Sequence, residues 1–287
     1  MVEGPRFTLR PMGLEDIPDG LRLCRASGWN QRDEDWREML RSNPGGFVAA
    51  VGDGRVVGTG GAVRYGTGLA WICMILVDPE SRGRGLGTRI MEEVLRRLVD
   101  VPVVGLDATP GGRLVYLKLG FRDGRPLARF HARPLPALPP PRSAVRRMTA
   151  ADLLEVLAWD REAFGADRAG VLRWALGQAP EYAWCARADG GGVGGYCFGR
   201  HGRDADHIGP VVARQRAVAR DVVQACLAAH AGRRFFVDAP REPAEWPRAL
   251  AELGFAEQRA FTRMYRGDAK EPGRPHELFA VMGPEFG

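Results

Sequence analysis

Two kinds of hydrophobic pattern alternate along the chain and predict its secondary structure. Residues 70–77 and 103–106 are apolar throughout, as in central strands that are buried on both faces. The apolar residues at 90, 91, 94, 95 and 98 instead fall on one face of a helix, with charged residues at 92, 93, 96 and 97 opposite. Asp53-Gly54 separates two further apolar-rich stretches and predicts a hairpin turn. These patterns predict a mixed α/β sheet layered with helices.

The first part of the chain should contain two helices, a hairpin, a strand, a helix, a strand, a helix and a strand, in that order. We expect the hairpin to join strands at 47–51 and 56–63. We expect Asp33 to cap the second helix, which carries Trp36, Met39 and Leu40 on one side. Helices and strands that alternate in this way are typical of a layered α/β domain.

The same order of segments occurs twice, at an offset of roughly 131 to 137 residues. LRPM at 9–12 is echoed by VRRM at 145–148, LDA at 106–108 by VDA at 237–239, and LGF at 119–121 by LGF at 253–255. Matches that keep their order predict a duplicated domain. PLPALPPP at 134–141 separates the copies and predicts a stiff, extended spacer. We therefore divide the chain into residues 1–133, a linker at 134–142, and residues 143–287.

Length and composition fit a two-domain cytoplasmic protein. The chain has 287 residues, 45% of them hydrophobic, which is enough for two cores. No apolar run approaches the roughly 20 residues that span a bilayer, and the N-terminus lacks the pattern of a signal peptide. The five cysteines form no C-x-x-C pair and the five histidines are scattered, so we expect a reducing compartment and no metal site.

The basic charge of the chain does not indicate nucleic-acid binding. The formal net charge is +6 and the pI about 9.4. Only two of the 41 basic residues are lysine, and the arginines are spread over helix faces and loops rather than along one stripe. We expect no nucleic-acid partner and no membrane association. The positive field would still attract a polyanionic small ligand.

The loop within MILVDPESRGRGLGTRIME, residues 74–92, carries the chemistry. Its glycines at 83, 85 and 87 stand between the end of a central strand and the start of a helix. Glycines let an anion approach the backbone N–H groups, and the helix N-terminus adds partial positive charge. A dinucleotide fingerprint would need glycine where Thr88 stands, and the chain contains no ATPase P-loop motif. The loop therefore predicts a site for another phosphate-bearing ligand.

Two motifs in the first copy resemble those of the GNAT superfamily of N-acetyltransferases. The first is R-x-x-G-x-G at 82–87, preceded by a V-x-P strand end, and the second is VYLKLGF at 115–121. The resemblance implies that the protein transfers the acetyl group of acetyl-coenzyme A directly to a primary amine of a small molecule or peptide. It implies an α/β fold with a mixed sheet.

The whole chain resembles bacterial tandem-GNAT proteins more narrowly. Its first copy carries WNQ…DW at 29–36 and LDATP at 106–110, and its second copy carries D-x-x-x-F-G-x-D-R at 160–168. A G-P-E-x-G segment follows at 283–287. The resemblance implies two tandem GNAT-like domains, in a protein that we expect to be a monomer or a homodimer.

The resemblance also implies which residues bind the coenzyme. The backbone of Ile75, Leu76 and Val77 should pair with the pantetheine arm, and an N–H there would polarise the thioester carbonyl. Tyr116 is implied as the group that protonates the departing thiolate, although it could instead only pack beside the coenzyme. The loop residues that should surround the pyrophosphate are Arg82, Gly83, Arg84, Gly85, Leu86, Gly87 and Thr88.

The general base is harder to find in the sequence. An alkyl amine with a pKa of ~10.4 is mostly protonated at pH 7, and removing its proton costs roughly 4–5 kcal/mol. Many GNAT enzymes place a glutamate on the strand before the phosphate loop, but the strand at 71–77 has no carboxylate. Asp107 is the leading prediction, with Glu34 and Asp35 as alternatives. Asp107 could equally cap the turn before Thr109.

Three expectations remain for the rest of the site. Trp29 and Trp36 should wall the amine pocket, with core packing as the alternative for at least one of them. The second copy has no glycine in the loop of its segment 208–220 and no tyrosine before LGF at 253–255. We therefore expect a degenerate GNAT-like domain without coenzyme, which supports the first copy and helps to form the amine pocket. The missing strand carboxylate leaves open a non-catalytic acyl-CoA-binding or regulatory module.

Overall fold

The computed structural model describes residues 7–132, 138, 139, 141, 144–188, 190–267 and 271–287. Most of the predicted proline-rich linker lies outside the described residues. The elements of the first copy are β1 (Thr8–Pro11), α1 (Ile17–Ala26), α2 (Asp33–Ser42), β2 (Val48–Gly52), β3 (Arg55–Tyr65), β4 (Leu69–Val77), α3 (Leu86–Arg96), β5 (Val103–Ala108), α4 (Pro110–Lys118) and β6 (Arg122–Ala132).

The second copy repeats this order and adds one strand. None of the helices in the described part of the chain, in either copy, has the length and hydrophobicity of a membrane-spanning segment. The elements are β7 (Val145–Arg147), α5 (Ala150–Phe164), α6 (Ala169–Gln178), β8 (Trp184–Arg187), β9 (Val193–Arg200), β10 (Asp206–Ala213), α7 (Arg216–Ala228), β11 (Phe235–Pro240), α8 (Glu245–Glu252), β12 (Phe255–Gly267) and β13 (Leu278–Ala280).

The predicted α/β class and the order of elements are confirmed, with small local differences. Strand β1 was not predicted as a strand. The turn at Asp53-Gly54 has the positive φ angles, 50° and 75°, that a tight hairpin needs. Asp33 is the first residue of α2 and not its cap. Arg32 is the cap residue, and the Asp35 carboxylate accepts its backbone N–H at 2.7 Å.

All described strands join one mixed sheet in which the two copies exchange their last long strands. The order across the sheet is β1-β2-β3-β4-β5-β12-β6-β11-β10-β9-β8-β7, with β13 paired to β10. Strand β12 of the second copy lies between β5 and β6, and β6 of the first copy lies between β12 and β11. Each copy therefore completes the sheet of the other.

A buried ion pair marks each side of the exchange. Arg263 on β12 stands opposite Asp107 on β5 and donates to both carboxylate oxygens at 2.9 Å. Arg129 on β6 stands opposite Asp238 on β11 and donates to its two oxygens at 2.8 and 2.7 Å. All four side chains are buried. Buried pairs of this kind contribute little net stability but are costly to break, so they can specify strand register.

The copies also share hydrophobic core. The ring of Tyr65 packs edge-on against Phe164 of the second copy at 5.1 Å, and Trp71 packs against Tyr265 at 6.0 Å. These residues belong to one cluster that lies on a single face of the sheet and draws on both copies. The two copies therefore form one folded body.

A local irregularity in β4 opens the sheet where the site lies. Met74 has a positive φ of 56°, and the β3–β4 register shifts beside it. Strand β4 pairs with β5 only from residue 69 to residue 71 and diverges from it afterwards. The end of β4, residues 75–77, thus has β3 on one side and an open wedge on the other. The wedge leaves edge backbone groups available to a ligand.

We predict that Asp107→Asn destabilises the protein by about 3–5 kcal/mol, because it removes the charge that compensates a buried guanidinium. Urea unfolding of the variant and the wild type measures this difference. Changing both partners to apolar residues, Asp107→Leu with Arg263→Met, should recover most of the loss.

Asp100→Asn is the matched control for this experiment. Asp100 also receives two hydrogen bonds from one arginine, Arg64, both at 2.8 Å, but its side chain is 63% exposed. Solvent screens such a pair, so the control should change the free energy of unfolding much less. Equal losses for the two single variants would contradict a special role for the exchange pair.

Candidate active site

The predicted coenzyme residues line one open groove. The groove has a volume of about 630 Å³ and runs from the wedge beside β4 to the N-terminus of α3. Arg84 is exposed and does not line it. The predicted residues that do line it are Ile75, Leu76, Val77, Arg82, Gly83, Gly85, Leu86, Gly87 and Thr88.

Glycine is required by the backbone of this loop. Gly83 and Gly85 have φ angles of 74° and 73°, in the left-handed region that other residues avoid. A side chain built on either glycine would meet no atom within 4 Å, so the space above the loop is open. Gly85 also caps α3, whose first N–H groups face this space unpaired by a side-chain cap. This backbone geometry is suited to binding an anion.

Arg82 is fixed at the rim of the groove. Its Nε donates to the backbone carbonyl of Val77 at 3.0 Å, and its Nη2 donates to the Ser27 hydroxyl at 3.3 Å. These bonds connect the loop to the end of β4 and to α1. They hold a positive charge beside the glycines, where a phosphate would be attracted.

A second, more enclosed cavity adjoins the groove on the inner side. Its volume is about 80 Å³. Trp29, Ile75, Thr109 and Tyr116 line both the groove and this cavity, so the two spaces meet at these side chains. Thr109 caps α4 by accepting the Gly112 N–H at 3.2 Å, which fixes the helix that carries the tyrosine.

Tyr116 stands at this junction as a protonated phenol. Desolvation by the surrounding protein raises the pKa of Tyr116 to about 12. The hydroxyl therefore keeps its proton at neutral pH and can donate it or a hydrogen bond. Full transfer to a thiolate is uphill, because a thiol has a pKa of ~8.5.

Both copies contribute to the inner cavity. The first copy supplies Trp29 and Gln31, and the exchanged strand β12 supplies Arg259 and Phe261. Glu285, from the segment 283–287, lines the same space. The cavity therefore exists only because β12 and this segment cross into the first half of the sheet.

Two residues predicted for the site are used elsewhere. Asp107 lines the inner cavity, but Arg263 occupies both its oxygens, so the geometry leaves neither free to act as a base. Trp36 is fully buried in the core with its ring 6.4 Å from Phe47, and it lines neither space. Trp29 is the tryptophan that reaches the site.

Three polar atoms at the inner cavity have no hydrogen-bond partner within the described part of the chain. They are Gln31 Oε1, Arg259 Nε and Glu285 Oε2. Buried polar atoms are nearly always paired, so unpaired ones that line a cavity are available to a water or a ligand. Desolvation and the nearby Arg129 charge lower the pKa of Arg259 to about 10, so it remains cationic at pH 7. The cavity thus offers acceptors and a donor to a polar molecule.

One buried arginine serves two carboxylates behind this cavity. Arg200 on β9 donates to Asp35 at 2.9 Å and also to Glu285. Burial raises the pKa of Asp35 to about 6; the Arg200 charge opposes this rise and the Glu285 charge adds to it. Asp35 lines neither space, and Glu34 is paired with Arg32 at 3.1 Å, so neither alternative base reaches the cavity.

The second copy fills the wedge that the first copy leaves open. Strand β10 pairs with β11 only at Asp206 and His207 and then diverges, as β4 does from β5. Here β13 enters the gap and pairs with Val211 and Val212. The following turn into α7 contains no glycine. Within the described residues, the chain itself thus occupies the position equivalent to the coenzyme groove.

Comparison with known proteins agrees with this architecture. The sequence model of the acetyltransferase (GNAT) family matches residues 15–121, and that of an acetyltransferase (GNAT) domain matches residues 156–280. The chain therefore belongs to the GNAT family as a tandem protein with two GNAT domains, and it is an acyltransferase.

Similar proteins extend over nearly the whole chain. A holothin acyltransferase of Pseudoalteromonas sp. (strain SANK 73390) is 28% identical, over 100% of this chain and 97% of the relative. An uncharacterized N-acetyltransferase of Bacillus subtilis (strain 168), YitH, is 25% identical, over 84% of this chain and 85% of its own. The crystal structure of a putative acetyltransferase from Pyrococcus horikoshii shares the fold, with a TM-score of 0.80 at 21% identity, over 100% and 99% of the two chains.

Glu285 is the site residue that sequence reasoning missed. The G-P-E-x-G segment is a feature of the resemblance to tandem-GNAT proteins, but nothing in its local sequence indicates that Glu285 lines a cavity with Tyr116, which lies more than 150 residues earlier in the chain. The signal that could have identified Glu285 is an acidic residue in a glycine- and proline-rich segment that caps no helix or strand.

We predict that the stability difference between wild type and Asp35→Asn depends on pH. The folded pKa of Asp35 is raised, so its stabilising contribution is present below the unfolded pKa and is lost as the pH rises through about 6. From pH 4 to pH 7.5 the wild type should lose about 2–3 kcal/mol relative to the variant. Urea unfolding at both pH values measures this change.

Asp16→Asn provides the control of opposite sign. Asp16 also accepts a backbone N–H at a helix start, from Gly13 at 2.9 Å, but its hydrogen bonds from Arg10 lower its pKa. Its contribution is present above the unfolded pKa and is lost only as the pH falls through the lower folded value. The difference for this variant should therefore not decline between pH 4 and 7.5. A decline of the same size in both variants would contradict the assignment of the pH dependence to the burial of Asp35.

Proposed function

We propose that the protein transfers the acetyl group of acetyl-coenzyme A directly to a primary amine of a small molecule or peptide. The observation that supports this most is the meeting of two spaces at Tyr116: an open groove with a glycine loop and an enclosed polar cavity. Acetyl-coenzyme A would supply an activated acyl thioester. The name of one relative, an acyltransferase, supports acyl transfer, and that of the other, an N-acetyltransferase, supports transfer to nitrogen.

The groove suits the coenzyme along its whole length. The backbone of Ile75, Leu76 and Val77 faces the wedge without a strand partner on that side and can pair with the amides of a pantetheine arm. The amides from Gly83 to Thr88 and the α3 N-terminus would bind the diphosphate, with Arg82 at the rim. A β4 N–H would orient and polarise the thioester carbonyl.

The inner cavity suits the acceptor. It is enclosed, which excludes bulk water from the reacting atoms, and Trp29 forms part of its wall. Its unpartnered groups, Gln31, Arg259 and Glu285, favour a polar amine over a purely hydrocarbon one. The five cysteines are buried and free of disulfides, and we propose a cytoplasmic location on that ground.

We propose one coenzyme site per chain. In the second copy β13 occupies the gap between β10 and β11, so a pantetheine arm would have to displace a paired strand. The loop before α7 also lacks the glycines that let a phosphate approach the backbone. The second domain then acts by completing the sheet and the acceptor cavity of the first.

Gly85→Val should weaken coenzyme A binding at least about tenfold, because the side chain would enter the space of a charge-assisted phosphate contact. Isothermal titration calorimetry with coenzyme A measures the affinity and should give one site per chain for the wild type. Two sites would contradict the assignment of the second copy.

Gly66→Val is the matched control for this substitution. Gly66 has the same left-handed conformation, φ 63°, and also has nothing within 4 Å of a built side chain, but it lies in the turn between β3 and β4. Both substitutions carry a similar backbone strain of about 1–2 kcal/mol. Wild-type affinity in the Gly85 variant, or equal losses in both, would contradict a phosphate site at the loop.

Tyr116→Phe should lower kcat about 100-fold while coenzyme A affinity changes little, since only the proton donor is removed. Thiol release from acetyl-coenzyme A with a panel of primary amines measures kcat. Tyr265→Phe is the control, because its hydroxyl faces Glu271 and lines neither space. Coenzyme binding without turnover on any amine in the wild type would contradict the proposed reaction.

A further inference from the structure

We propose that Glu285, supplied by the second half of the chain, is the catalytic residue that binds the acceptor amine and takes its proton. This inference rests on the proposed function and identifies the base that the first GNAT domain lacks. The strand that ends at Val77 has no carboxylate, and Asp107 is occupied by Arg263. Among the residues that line the inner cavity, Glu285 is the remaining carboxylate.

The position of Glu285 is fixed by bonds around it. Backbone carbonyls of the segment 283–287 accept hydrogen bonds from Trp71 Nε1 at 3.0 Å, from the Tyr65 hydroxyl at 2.6 Å and from Arg168 at 2.8 Å. The donors come from both copies, and the segment itself is buried. A side chain held this way loses little freedom when a substrate binds, which favours a catalytic role.

The two oxygens of Glu285 have different surroundings. Oε1 accepts a hydrogen bond from Arg200, which is buried and cannot lose its proton. Oε2 is buried without any partner in the described part of the chain. A buried carboxylate oxygen without a donor is costly unless a water or a ligand supplies the donor. An amine or ammonium N–H is such a donor.

The chemistry at this position balances. The amine nitrogen attacks the thioester carbonyl carbon, a C–N bond forms, and the C–S bond breaks with its electron pair going to sulfur. Before this attack, an acceptor that is bound as an ammonium gives one proton to Glu285 Oε2, which passes it to water. After the attack, the nitrogen of the adduct gives up its second proton to water. The sulfur takes a proton through Tyr116, whose hydroxyl is restored from water. The products are the amide and the free thiol, and both side chains return to their starting states.

The test uses Glu285→Gln with ethylamine and its mono-, di- and trifluoro analogues, whose nitrogens become stepwise less basic. Glutamine keeps the shape and the bond to Arg200 but cannot accept a proton. We expect kcat/KM to fall about 100-fold or more for ethylamine and only a few-fold for trifluoroethylamine, which needs no base at neutral pH. Glu285→Asp, which keeps a carboxylate at a shorter reach, should retain more activity than the glutamine variant.

Asp35→Asn is the matched control, because Asp35 accepts from the same Arg200 but does not line the cavity. It should retain wild-type kcat/KM within a few-fold on all four amines. A loss in Glu285→Gln that is equal for all four amines, or absent, would overturn the inference while leaving acyl transfer intact. Failure of the wild type to acylate these four amines and every polar amine of the panel, although it binds coenzyme A, would overturn the proposed function and this inference with it.

Discussion

Two buried arginine–aspartate pairs tie the last long strand of each copy into the sheet of the other, and the rest of the molecule depends on that exchange. Arg263 on β12 meets Asp107 on β5, and Arg129 on β6 meets Asp238 on β11. The desolvation of two charges offsets most of their attraction, so such pairs add little stability. They act on register: a strand shifted by one residue would bury an unpaired charge. The aspartates of the duplicated LDA and VDA segments therefore lie where strands of the two copies pair with each other.

The two copies share one fold but differ at the gap between two diverging strands. In the first copy β4 and β5 diverge and leave an open wedge beside the glycine loop. In the second copy β10 and β11 diverge in the same way, but β13 pairs into the gap. In the second copy a strand of the chain itself therefore pairs with the edge of β10. The second domain instead contributes strand β12 to the sheet of the first.

The contribution of the second copy is clearest at the inner cavity, which is lined by residues of both copies. Strand β12 brings Arg259 and Phe261 to the cavity, and the segment after β13 brings Glu285. Asp35 from the first copy and Glu285 from the second meet on Arg200, so the wall behind the cavity is an electrostatic unit that neither copy could build alone. Residues of both copies therefore line the inner cavity, whereas residues of the first copy line the groove at the glycine loop.

Local and periodic features of the sequence were sufficient to predict the α/β class, the hairpin at Asp53-Gly54 and the glycine loop, because each depends on backbone conformation or on hydrophobic spacing within a few residues. The repeat was visible from matched segments in a constant order, and Tyr116 was implied by the resemblance to GNAT enzymes. The sequence alone could not show that Asp107 meets an arginine 156 positions away, that Trp36 is buried in the core, or that Glu285 reaches the cavity. Tertiary structure decided those points, because the environment of a charged or aromatic side chain depends on strands brought together across the whole chain.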